Sequence, residues 1–169
     1  DSGVASSRQV AKPPERDVPG SGVVTLPDHL VPAFAPVADE AATVVGDTYR
    51  ITVLTPRVVR LEYAPDGAFE DRPSPAFWYR ERPVPDFETA EGDDRLAVET
   101  DALRLEYVPG EPFAPDTLSA TVRGTDEEWS YGDEDDANLG GTVRTLDRVE
   151  GATALGDGLL SRDGWAVVD

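Results

Sequence analysis

"RLAVETDALRLEYV", Arg95–Val108, alternates apolar and polar side chains on either side of a short polar break. Leu96 and Val98 face one way, Thr100-Asp101 form the turn, and Leu103, Leu105 and Tyr107 follow. Successive side chains of a strand point to opposite faces of a sheet, so this spacing fits a half-buried antiparallel hairpin. A helix would need apolar positions three and four apart.

The same signature extends in both directions. Upstream, "ATVVGDTYRITVLTP" (Ala42–Pro56) reads as two strands, with Tyr49, Ile51 and Val53 alternating with Arg50, Thr52 and Leu54. "RVVRLEYAP" (Arg57–Pro65) puts Val59, Leu61 and Tyr63 on one face and Val58, Arg60 and Glu62 on the other, with Pro56 and Pro65 as punctuation. "GVVTL" (Gly22–Leu26) is a shorter candidate. Downstream, "LSATVRG" (Leu118–Gly124) and "EEWSYG" (Glu127–Gly132) predict a further pair. The 15 prolines and 15 glycines argue against long helices. Short strands separated by turn residues at roughly 8–12-residue spacing predict an all-β, antiparallel β-sandwich over residues 22–169. Residues 1–21 carry Ser, Pro, Gly and scattered charge without apolar period, and are expected to be poorly ordered.

Composition narrows the function classes. The chain has 169 residues and 39% hydrophobic content, enough for a substantial core. Acidic residues number 34 against 15 basic, a net charge of −19, and Lys12 is the one lysine. Such a surface repels phosphate backbones and anionic lipid, so neither a nucleic-acid nor a membrane partner is expected. Its self-repulsion favours high ionic strength, where the Debye length shrinks to roughly 3 Å at 1 M salt. The acid-rich, lysine-poor composition therefore suits a salt-loving source, although a GC-rich genome favouring Arg over Lys produces the same bias. No stretch approaches the ~18 apolar residues of a membrane span. The cytoplasm is the favoured compartment. Methionine is absent and "GWAVVD" (Gly164–Asp169) ends in an apolar, strand-like run, so the chain is expected to be a piece of a longer protein.

Chemistry-bearing motifs are scarce. Cysteine is absent and His29 is the one histidine, which leaves no disulfide, thiolate metal site or clustered His chemistry. The acidic run within Asp126–Asp136 invites a calcium reading, but the EF-hand glycine and distal glutamate are missing. A solvated acidic loop is the favoured reading. Phe77, Trp78 and Tyr79 could stack on sugar rings; a buried strand between two proline-rich turns accounts for the same residues and is the favoured expectation. There is no Ser-His-Asp set and no phosphate loop, so the chain itself offers no catalytic residue, no metal site and no cofactor site.

One segment stands apart. "NLGGTVRTLD" (Asn138–Asp147) follows the acidic run with two glycines, an arginine and a closing aspartate, while Leu139, Val143 and Leu146 still require burial. It reads as a loop aimed at something outside the chain. Gly140 and Gly141 would let the backbone leave the sheet through positive φ.

This segment, Gly151 and "GLLSRDGWAVVD" (Gly158–Asp169) together resemble the N-terminal domain of glycoside hydrolase family 31, which includes α-glucosidases and α-xylosidases. "YRITVLTPRVVRLEYAPDGAFEDRPS" (Tyr49–Ser74) is similar to that family's opening strands. The resemblance covers Gly46–Asp169. It implies a sandwich similar to galactose mutarotase, packed against a C-terminal (β/α)8 barrel that carries the two aspartates of retaining hydrolysis. Neither aspartate would lie in this chain. The resemblance further implies that residues 142–158 form a loop reaching over the barrel mouth toward an α-glycoside substrate. Arg144 and Asp147 are the candidate substrate-site groups on it, since charged side chains hydrogen-bond sugar hydroxyls strongly. An Arg144–Asp147 ion pair that merely holds the loop is the competing reading. At the level of function, the competitor is a stand-alone carbohydrate-binding or adhesive β-sandwich without catalysis.

Overall fold

The computed structural model describes residues 27–74, 77–92, 94–141 and 150–168. The expectations for residues 1–21 and for the strand at Gly22–Leu26 lie outside them. The chain divides into two units, Asp1–Ala33 and Phe34–Asp169. In the first, Asp28–Leu30 form one 3-10 turn, closed by the Leu30 amide on the Pro27 carbonyl at 2.8 Å.

The second unit is all-β. After a 3-10 turn at Glu40–Ala42, capped by the Asp39 carboxylate on the Ala41 amide, come β1 (Thr43–Val45), β2 (Tyr49–Thr55) and β3 (Val58–Tyr63). They pair antiparallel in the order β1-β2-β3. A second antiparallel sheet runs β4 (Glu88–Glu91), β5 (Leu96–Glu99), β6 (Leu103–Tyr107), β7 (Leu118–Val122) and β8 (Glu128–Ser130), in sequence order. Among the described residues the 3-10 turns are the sole helical elements, and no helix is long and apolar enough to cross a membrane.

Periodicity located most of these strands because it follows from the pleat itself. Tyr49, Ile51 and Val53 of β2 meet Leu96, Val98, Leu105, Tyr107, Leu118 and Trp129 of the larger sheet in one core. Ile51 and Val53 are wholly buried, each contributing about 1.5–3 kcal/mol of transfer free energy. The Tyr49 and Tyr107 rings meet edge-to-face, with centroids 5.0 Å apart. The buried Thr100 hydroxyl donates to the Pro56 carbonyl at 2.7 Å and ties the β5–β6 turn to the β2–β3 turn of the other sheet. The result is sandwich-like.

Four details depart from expectation. The hairpin turn centres on Asp101-Ala102, not Thr100-Asp101: the Thr100 amide bonds the Leu103 carbonyl, and the Thr100 hydroxyl accepts from the Ala102 and Leu103 amides. A side-chain cap of this kind moves the reversal one residue on. Secondly, β4, "ETAE", carries no apolar alternation and is exposed along its length. It forms because β5 offers it a ladder, from Glu88 opposite Glu99 to Glu91 opposite Leu96. Thirdly, Phe77–Tyr79 is not a buried strand. It forms one isolated bridge, Tyr79 with Ala35, outside both sheets, and leaves Trp78 and Tyr79 substantially exposed, with Phe34 edge-on to Trp78 at 5.5 Å. The flanking prolines deny it the amides a ladder needs. Finally, residues 165–168 of the apolar C-terminal run pair with no strand.

Candidate functional site

The segment singled out by sequence is built around Asn138. Its carboxamide nitrogen donates to Asp135 Oδ2 at 2.8 Å and to the Gly158 carbonyl at 3.1 Å. Its carboxamide oxygen accepts from the Gly140 and Gly158 amides, each at 2.8 Å. One side chain thus satisfies four groups on two chain segments 20 residues apart. The ladder continues through Leu139 N–H to the Leu160 carbonyl at 2.9 Å and Gly141 N–H to the Gly156 carbonyl at 2.6 Å. Ser161, bridged to Asn138, donates its hydroxyl to Asp135 Oδ1 at 2.6 Å.

Glycine is required here for two different reasons. Gly140 has φ 78°, in the left-handed region. Gly141 does not, which corrects the expectation of positive φ at both. Its requirement is close approach: a Cβ there would lie 2.7 Å from the Asp157 carbonyl oxygen, and one on Gly158 would lie 2.5 Å from that of Gly140. The two segments, 138–141 and 156–161, therefore form a neck. Arg144 and Asp147, with Val143 and Leu146, lie outside the described residues, so the structure gives no contact for either candidate site group.

Beside the neck lies an open cleft of about 400 Å³. Asp133, Glu134, Asp135, Asp136 and Asp157 supply its acidic wall, and Trp165 and Val167 its apolar one. Trp165 packs on the core residue Trp129, with centroids 6.4 Å apart, so the apolar wall is anchored to the sandwich. Carboxylates beside an indole suit a hydroxyl-rich or cationic ligand: the oxygens accept hydrogen bonds and the ring offers a flat apolar face. Among the described residues no group of three His, Asp or Glu side chains is placed to hold a metal ion.

Around this neck the surface is apolar. Leu139, Leu155, Leu159, Leu160, Val167 and Val168 are all more than half exposed, Leu159 reaching 71%. Scattered exposed apolar residues are ordinary, whereas a run concentrated on one irregular segment marks an interaction surface.

Sequence reasoning passed over a second cluster. Arg50 and Arg60 on the outer face of β2 and β3 converge with Arg80, which is only 4% exposed. Glu62 binds Arg50 through Nε at 2.6 Å and Nη2 at 2.9 Å, and Arg60 Nη1 at 2.6 Å; Asp71 accepts from Arg50 Nη1 at 2.7 Å. Arg80 donates to the carbonyls of Glu70, Asp71 and Arg72. The signal available in advance was slight: charged residues at alternate positions of two adjacent strands.

Compared with known proteins, the chain matches no protein-family model and no curated sequence.

Proposed function

We propose that the chain is the N-terminal accessory domain of a retaining α-glycosidase of glycoside hydrolase family 31. In this reading it supports a (β/α)8 barrel and lends the loop that leaves the Asn138 neck to the barrel's substrate site. The observation that carries it is the neck itself: a hydrogen-bonded, glycine-dependent junction beside leucines and valines that the sandwich leaves uncovered. Burial of those side chains against a barrel would recover about 25 cal/mol per Å² of apolar surface. The similarity to family 31 in Tyr49–Ser74 and Asn138–Asp169 supplies the identity of the partner, and Arg144 and Asp147 are the groups assigned to contact the α-glycoside. Catalysis belongs to the barrel, and the chain alone is inactive.

The acidic cleft with its Trp165 wall favours a second reading, a carbohydrate-binding sandwich that works without a barrel. The coding sequence beyond Asp169 separates the two. Several hundred residues encoding a barrel with aspartates at its strand ends support the first, and a stop codon near Asp169 eliminates it.

A further inference from the structure

The arginine cluster on the outer face of β2 and β3 borders a small, partly open cavity of about 30 Å³, walled by Arg50, Arg60, Arg80, Asp71, Thr43 and Thr52. Three features of this cavity point the same way. Arg50, Arg60 and Arg80 bring three positive charges, against two negative ones from Glu62 and Asp71, so the cluster retains a local excess of one. Every other donor of Arg80 that the fold uses is spent on backbone carbonyls, while its buried Nε has no acceptor among the described residues. A buried guanidinium N–H left unpaired is costly, more so than a neutral donor. Lastly, the arginines crowd one another: burial lowers the pKa of Arg60, and the charges of Arg80 and Arg50 lower it further, opposing Glu62. The volume exceeds the ~10–15 Å³ needed for one water. Water in the cavity would leave the positive excess uncompensated, whereas a compact anion would offset it.

We propose that this cavity is a binding site for one small monovalent inorganic anion, of halide size, accepting from Arg80 and neutralising the three-arginine cluster. The site lies on the opposite face of β2 from the core, so the anion would fasten the Glu70–Arg72 and Val37–Thr43 segments to the outer face of the small sheet. Even in a chain of net charge −19, three converging arginines can hold such an ion when salt screens the distant carboxylates.

The test is thermal unfolding while sodium chloride replaces sodium gluconate at constant ionic strength, since gluconate is too large to enter. Chloride should raise Tm saturably, by roughly 3–6 °C at ten times its dissociation constant. Arg60→Gln, which removes the positive excess while keeping Arg80, should abolish most of that rise. A bromide-soaked crystal should show an anomalous peak in this cavity, among Arg50, Arg60 and Arg80. A Tm indifferent to the exchange, or an equal response from Arg60→Gln, overturns the site, the first leaving water as the occupant and the second a general salt effect. If Arg60→Gln does not fold, the bromide peak decides: its absence from the wild-type crystal overturns the proposal.

Discussion

Arg50 and Glu62 stand directly opposite one another on β2 and β3, and their side chains close a two-bond fork at 2.6 and 2.9 Å on the outer face of the small sheet. Both are largely buried, and Glu62 also holds Arg60 and the Glu70 amide at 3.2 Å. A bidentate carboxylate–guanidinium pair is among the stronger polar contacts a protein makes. Here its main role is to keep three arginines tolerable in one place.

Removing Glu62 should therefore be severe. Glu62→Gln leaves two guanidinium groups without their shared carboxylate, and the expected loss is about 3–5 kcal/mol, the range for breaking a buried pair from one side. Urea denaturation of the variant measures it. A loss below about 1 kcal/mol would mean the fork behaves like an exposed pair.

The neck offers a cleaner contrast between two glycines. Gly158→Ala places a Cβ 2.5 Å from the Gly140 carbonyl oxygen, so it should cost about 1–3 kcal/mol and remove exchange protection from the Gly141 amide. Gly156→Ala meets nothing within 4 Å and should change stability by no more than about 0.5 kcal/mol. Hydrogen exchange on both variants reads the difference; equal protection in the two would remove close packing as the reason for glycine.

Alkaline pH should weaken the core. Burial pushes the Tyr107 phenol up to about 12, with Tyr63 adding to the shift, and burial raises Tyr49 as well. A raised folded-state pKa means the folded form prefers the neutral phenol. That contribution is complete below the unfolded value near 10 and is lost as pH climbs through about 12. Unfolding free energy should fall across this window, and Tyr107→Phe should flatten the fall. Its own cost at neutral pH is about 1 kcal/mol from the lost bond to the Glu111 carbonyl. Tyrosinate absorbance showing every tyrosine ionised near pH 10 in folded protein would contradict this.

With net charge −19, Tm should rise from low to molar salt even in sodium gluconate, as repulsion among the carboxylates is screened. A flat profile in that salt would end the salt-loving interpretation of the composition.

In the proposed family 31 glycosidase, Asp147→Ala should lower kcat/KM about ten- to a hundredfold, the worth of a charge-assisted contact of about 1.5–3 kcal/mol, while leaving the sandwich folded. Kinetics and Tm on the same variant test it. Normal kinetics would assign Asp147 to holding the loop.

What the sequence by itself determined was whatever depends on neighbours two residues apart. Tyr49-Ile51-Val53, Val59-Leu61-Tyr63 and Leu96-Val98 declare their inward faces because the pleat enforces period two, and the all-β class follows from their number and spacing. Net charge and the lack of cysteine are likewise read directly. The tertiary structure alone decided what depends on segments far apart in the chain. β4 has no pattern of its own and exists because β5 presents unpaired backbone groups. Arg80 is ordinary in sequence and buried in space, since the carbonyls of Glu70, Asp71 and Arg72 turn toward it. The Asn138 neck needs Gly158, 20 residues on, to come within contact of Gly140. Hydrophobic periodicity is a local signal, whereas hydrogen bonds and charge convergence between distant segments exist only after the sheets have packed.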